Sequence, residues 1–340
     1  MDLSEKLTLP NSGGGNTSGS DFQLVHKMLY GFWADHSWDD IIRLRQLFDP
    51  IIARDAIGVI SIFQDLSNKA IIAAEKANRK KELAHFLGAD GHNLHRRGLH
   101  MKALRSFERA SELYLELGDD FESLKNYYMT SLCYRAVGNT KKAKRILEDV
   151  FLRLDNNNPW RGNPIQALGW IARDEKMFSL AEEHFRKAIE YQKLTKDPDI
   201  LVAGTLADLG EILGLQGNYE DAHKTLEESL NIILSKKGQY KRQEARTLIK
   251  IAELSYLENQ LGAALEVLDR ADDKVRGHGY DLPWKIEMLK ALIYFKQRKI
   301  LFAYHKIRSA NHLFVSLGLP QSEFYKQVLI KIKTITIRTS

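Results

Sequence analysis

The sequence predicts an all-α protein, a right-handed solenoid of stacked helical hairpins, and three observations carry that prediction. Six times an alanine is followed four places on by a bulky apolar residue and three places later by a smaller one: Ala103/Phe107/Ala110, Ala143/Leu147/Val150, Ala181/Phe185/Ala188, Ala222/Leu226/Ser229, Ala264/Leu268/Ala271 and Ala303/Ile307/Ala310. Successive sets begin 40, 38, 41, 42 and 39 residues apart, a period that marks a helical repeat array. Arg97-Gly98, Val137-Gly138-Asn139 and Gln216-Gly217-Asn218 precede three of the sets with the glycine that a helix end prefers in left-handed conformation. The chain also holds only 7 prolines in 340 residues and little strand-like alternation, which favours helix over sheet.

Taken in order, residues 1–20 include Ser12-Gly13-Gly14-Gly15 and Ser18-Gly19-Ser20, the composition of a flexible tail. Residues 21–81 read as an N-terminal helical cap or degenerate repeat: Phe22, Val25, Met28 and Leu29 recur at helical spacing, and Ser37 caps a helix with Asp39 and Asp40 in its first turn. The alanine signature is missing there, as expected for a unit that covers the end of a stack. Residues 82–312 form six units, each a first helix, a short turn and a second helix carrying the alanine set. At the turn glycine the third, fifth and sixth units have Lys176, Asn259 and Arg298, so the sequence specifies those turns less well. Residues 313–340 are expected to hold a capping helix starting at Pro320-Gln321-Ser322-Glu323, followed by a tail.

The alanines have a steric reason. Two helices approach closely only where a small side chain faces the partner, and the bulky residue a turn later fills the adjoining space. In such an array each unit packs on its neighbours, so the chain length does not require two globular domains.

Composition narrows the function classes. Hydrophobic content of 44% and charged content of 28% describe a folding chain, and a net charge of +6 is too small to point to nucleic acid. A single cysteine, Cys133, rules out an internal disulfide and a cysteine zinc cage, fits a small core filler, and makes the cytoplasm the expected compartment. No apolar run approaches the roughly 20 residues that span a bilayer, and the N-terminus lacks the basic start and apolar stretch of a signal peptide. No phosphate-binding glycine loop, His-Glu-x-x-His or Gly-x-Ser-x-Gly occurs, so neither an enzyme nor a cofactor is expected.

Leu209-Gly210, Leu213, Gly217, Tyr219, Ala222, Leu226 and Ser229 together resemble a tetratricopeptide repeat. So do Leu168-Gly169, Phe178, Ala181, Phe185 and Ala188, and Gly91, Gly98, Ala103, Phe107 and Ala110. The period is nearer 40 than the family's 34 and is similar to the longer repeats of bacterial regulatory proteins; the last two units replace the first-helix glycine by Ala252 and Ala291.

The resemblance implies that first helices line a concave groove. By register the groove positions are His85, His92, His95 and Arg96; Lys125, Tyr128 and Arg135; Asn163, Gln166, Trp170 and Arg173; and Arg246, Glu253 and Tyr256. The early half of this surface is basic with aromatics interleaved, which suits an acidic or carboxylate-bearing protein segment. Gly88, His92, Met129, Asn163 and Ala167 stand where the family's carboxylate clamp has its lysines and asparagines, so that clamp is absent. His92 and His95 share a helix face but lack a well-placed third ligand, and no metal site is assigned. The expected function is a non-enzymatic scaffold or adaptor that binds a peptide segment or protein domain. The alternatives are a sensor whose ligand changes the superhelical pitch, or an RNA-binding solenoid.

Overall fold

The computed structural model describes residues 60–238, 240–275 and 282–316. The tail, most of the N-terminal cap and the C-terminal capping helix fall outside them. The described chain runs through thirteen helices with no strand among the described residues. They are α1 (Ile60–Lys76), α2 (Lys80–Arg96), α3 (His100–Glu116), α4 (Asp120–Ala136), α5 (Thr140–Arg153), α6 (Gly162–Asp174), α7 (Phe178–Gln192), α8 (Asp199–Leu215), α9 (Tyr219–Ser235), α10 (Lys241–Leu257), α11 (Leu261–Val275), α12 (Pro283–Lys296) and α13 (Ile300–Ser316); a 3-10 turn, Pro159–Arg161, leads into α6. From α2 onward they pair as six antiparallel hairpins, and each hairpin packs on the next.

The alanine sets sit where the two helices of a hairpin meet. Ala103, Ala110, Ala143, Ala181, Ala188, Ala222, Ala264, Ala271 and Ala310 are all completely buried, as are Phe107, Phe185, Leu226 and Leu268. The bulky residue of the second helix needs a small partner twelve residues before the alanine, on the first helix. A Cβ added to Gly91 would lie 2.7 Å from the Phe107 ring, to Gly169 2.6 Å from Phe185, and to Gly210 2.6 Å from Leu226. In the second unit Ser131 takes this place and turns its hydroxyl back to the Tyr128 carbonyl. Ala252 and Ala291 hold the same buried position in the last two units, so loss of the glycine leaves the hairpin geometry intact.

All six hairpin turns close identically. The second residue after the first helix is left-handed and donates its N–H three residues back, while the next residue donates five back: Gly98 to His95 and Leu99 to Leu94, Lys176 to Arg173 and Met177 to Ala172, Arg298 to Phe295 and Lys299 to Tyr294. This is the glycine-type helix stop. The turns that the sequence leaves underspecified take it too, with Lys176, Asn259 and Arg298 at φ of 63°, 65° and 59°. Packing on both sides outweighs the roughly 1 kcal/mol that a side chain costs in this conformation.

Candidate partner-binding wall

First helices of successive hairpins touch each other, α4 with α6, α8 with α10 and α10 with α12, whereas the second helices make no comparable contacts. The stack is therefore tighter on the first-helix side, and that side forms its inner wall. Side chains one repeat apart meet along this wall and join α4, α6, α8 and α10 through one polar network.

Asp208, on α8, is its centre. It is 2% exposed and lies in a largely apolar helix. Its carboxylate accepts from Trp170 Nε1 at 2.7 Å and from Gln166 Nε2 at 2.9 Å, both on α6, and from Lys250 Nζ on α10 at 2.8 Å. Gln166 is fixed from behind, since its carbonyl accepts from Gln192, whose own carbonyl accepts from Thr205. One turn on, both oxygens of Glu211 accept from Nη1 of Arg173, at 3.1 Å each, and the carboxylate also receives the Lys250 ammonium. Arg173 also holds Asp174, which accepts from Arg135 Nε at 2.8 Å, and the Arg135 guanidinium lies 5.5 Å over the Trp170 ring.

The charges balance by proximity. Burial alone would neutralise Asp208, but Lys250, Arg246 and Arg173 outweigh it and hold the carboxyl well below the usual carboxylate range. Burial also opposes the charge on Lys250, and Asp208 and Glu211 nevertheless raise it above its ordinary value. Glu253 goes the other way: burial, and then the Glu211 charge, raise its carboxyl to about 7. Such a network stiffens the wall because each charge has lost water and needs its partner.

Of the register-predicted residues, the structure brings together Arg135, Gln166, Trp170 and Arg173, with Arg246 and Glu253 on α10 beside them. Trp170, expected as a groove-lining residue, is half-buried and hydrogen-bonded to Asp208. Arg135 and Arg173 are engaged by Asp174 and Glu211, so the basic character inferred for this part of the wall is internally neutralised. Tyr128 is 8% exposed and packs edge-on against Trp160 at 5.1 Å, a core position rather than a lining one. Asn163 caps the Trp160 carbonyl at 3.3 Å, and Lys125 pairs with Glu122 on its own helix. His92 is exposed against the edge of Phe107, Arg96 is half-exposed, and Tyr256 lies under the Lys296 ammonium at 4.6 Å.

His95 Nδ1 sits 3.3 Å from His100 Nδ1 and 3.5 Å from Cys133 Sγ. Cys133 is 1% exposed, and burial, helped by Glu108, pushes its thiol up to about 12, which leaves it unreactive. No group of three or more metal-ligating side chains occurs among the described residues, and no described helix is long and apolar enough to cross a membrane.

Asp208, Glu211 and Lys250 escaped the sequence reading, which named no groove residue in the fourth unit. The available signal was the pair of carboxylates Asp208 and Glu211, one turn apart within the largely apolar stretch 200–215, where charged side chains are rarely buried without partners.

No family model matches the chain, and neither does any curated protein. Solved structures do match it. The Rap conjugation gene regulator of plasmid pLS20, in complex with the Phr* peptide, aligns over 93% of this chain and 81% of its own with a TM-score of 0.61 at 15% identity. NprR in complex with its cognate peptide NprX aligns over 94% and 95% with a TM-score of 0.59 at 16% identity. A tetratricopeptide repeat protein from Parabacteroides merdae covers 87% and 98% with a TM-score of 0.51 at 16% identity. At these identities the likeness concerns architecture. Hairpin signature, turn geometry and structural likeness agree that this chain has the fold of the tetratricopeptide-repeat proteins, an all-α solenoid of stacked helical hairpins.

Proposed function

We propose that the protein is a non-enzymatic interaction module that binds a peptide segment of a partner along the inner wall of its first helices, with Arg246, Glu253, Tyr256, His92 and Arg96 offering contacts and the Trp170/Arg173 cluster as its rigid floor. The observation that carries the reading is the buried network through Asp208. It locks side chains of four helices in place before any partner arrives, so binding would order the partner far more than the wall. The two neighbours solved with peptides share this architecture, which supports a peptide as occupant. The internal pairing of Arg135 and Arg173 removes the main reason to expect a strongly acidic partner.

Co-purification from the native cell extract, with and without nuclease, tests the proposal using wild type and Arg246→Glu. Arg246 is exposed and outside the buried hydrogen bonds, although its charge also favours ionised Asp208, so thermal unfolding of the variant is compared with wild type alongside the binding. A protein retained by wild type regardless of nuclease and lost from the variant is the expected result. Retention that disappears with nuclease would transfer the function to RNA, and partners shared by both proteins would take the binding surface off this wall.

A further inference from the structure

Two charged groups on the wall stand outside the network. Arg246 and Glu253 both lie on α10, and among the described residues neither makes a hydrogen bond or an ion pair. Lys250, between them, is held by Asp208 and Glu211. Residues seven apart return to the same helix face, about 10 Å apart along the axis. The inner face of α10 thus offers a cation without a hydrogen-bonded partner, a neutralised centre and an acid without one, in a row.

The Arg246 end has room for a ligand group. Arg246 borders a shallow depression with Gly204, Ala207, Gln243, Thr247 and Lys250. A Cβ added at Gly204 would meet nothing within 4 Å, so this part of α8 leaves the space in front of Arg246 open. In the repeat register Gly204 falls where the flanking units have Asn163 and Arg246, and its lack of a side chain makes the gap. Glu253, partly exposed on α10, feels the charge of Glu211 on α8 together with those of its own neighbour Lys250, Lys285 of α12 and Arg173 of α6. Arg173 and Lys250 already bond Glu211, and neither makes a hydrogen bond or ion pair with Glu253.

We infer that α10 reads a bipolar segment, holding a carboxylate on Arg246 in front of Gly204 and an ammonium or guanidinium on Glu253. This inference rests on the peptide reading and narrows it. In a polyproline-II segment, side chains three residues apart share a face at about 9 Å, close to the separation on α10. The segment therefore carries an Asp or Glu and a Lys or Arg three residues apart, or a chain terminus in place of either: a free C-terminal carboxylate at Arg246 or an N-terminal amine at Glu253. Burial, and then the Glu211 charge, raise the Glu253 carboxyl toward neutrality, and an arriving cation would offset the second of these.

Selection of random peptide libraries, displayed once with free termini and once with both termini capped, tests this against purified wild type, Arg246→Ala and Glu253→Gln. Wild type is expected to enrich an acid and a base three residues apart. Arg246→Ala should lose the preference for the acid alone and Glu253→Gln the preference for the base alone, each weakening a selected peptide about tenfold, as expected for one charge-assisted contact. Enrichment that survives capping assigns the charges to side chains, and enrichment confined to free termini assigns them to a chain end. Enriched peptides without the charge pair, or with preferences that neither variant changes, overturn the bipolar assignment while leaving the peptide reading standing. Absence of enrichment in every arm removes both.

Discussion

At the scale of single residues, Asp208 and Glu253 pull stability in opposite directions with pH. Asp208 is held below its ordinary value of 3.8, so its contribution is present above that pH and is lost as the solution is acidified below it. Glu253 is raised from 4.5 to about 7, so the folded protein binds a proton that the unfolded chain has released, and stability falls as pH rises through that interval. The two effects favour a stability maximum near pH 4 to 5 for this cluster. Glu253→Gln removes the second effect without removing volume. Its stability relative to wild type is expected to rise by about 1 kcal/mol between pH 5 and pH 8, a figure reduced for the partial exposure of the side chain. Chemical denaturation at the two pH values measures it, and parallel curves for the two proteins would refute the assignment of the shift to Glu253.

At the scale of elements, the hairpin is defined by a pairing of small with large across two helices. The sequence displays the second-helix half as the alanine sets, and the glycines at 91, 169 and 210 supply the other half. Gly169→Ala places a methyl 2.6 Å from the Phe185 ring, which cannot withdraw because it is fully buried. The expected loss is about 1 to 3 kcal/mol, less the small gain in helix propensity. The double variant Gly169→Ala/Phe185→Leu should recover part of that loss in thermal unfolding, since a shorter side chain restores the space. No recovery would locate the cost elsewhere. The turns teach the complementary lesson. Lys176, Asn259 and Arg298 look unlike turn glycines in sequence, yet adopt the same left-handed stop, because the angle between the two helices is set by the packed interface rather than by the turn residue.

At the scale of the whole molecule, each hairpin is supported by its neighbours, and the polar network adds cross-unit bonds only between α4 and α10. Repeat arrays open from their weakest units rather than all at once. Backbone amides of α8 and α10, flanked on both sides and tied by Lys250, are expected to exchange with solvent most slowly, and those of α2 and α13 fastest. Hydrogen exchange resolved by peptide checks this order. A single protection level along the chain would mean that the array unfolds as one cooperative body and that the network does not set its centre.

The sequence by itself determined the helical class and the repeated hairpin, because a close helix pair demands small residues at fixed spacing and that spacing is visible in one dimension; the groove positions of Gln166, Trp170, Arg173, Arg246 and Glu253 came as an expectation from the family resemblance. Only the tertiary structure decided which of those side chains remain available. Asp208 and Glu211 lie about 40 residues from Trp170 and Arg173, and nothing local in either segment announces that they will meet. The stacking of one unit on the next brings them within hydrogen-bond distance. It thereby turns an expected basic, aromatic surface into a neutralised floor, with Arg246 and Glu253 left outside the pairing.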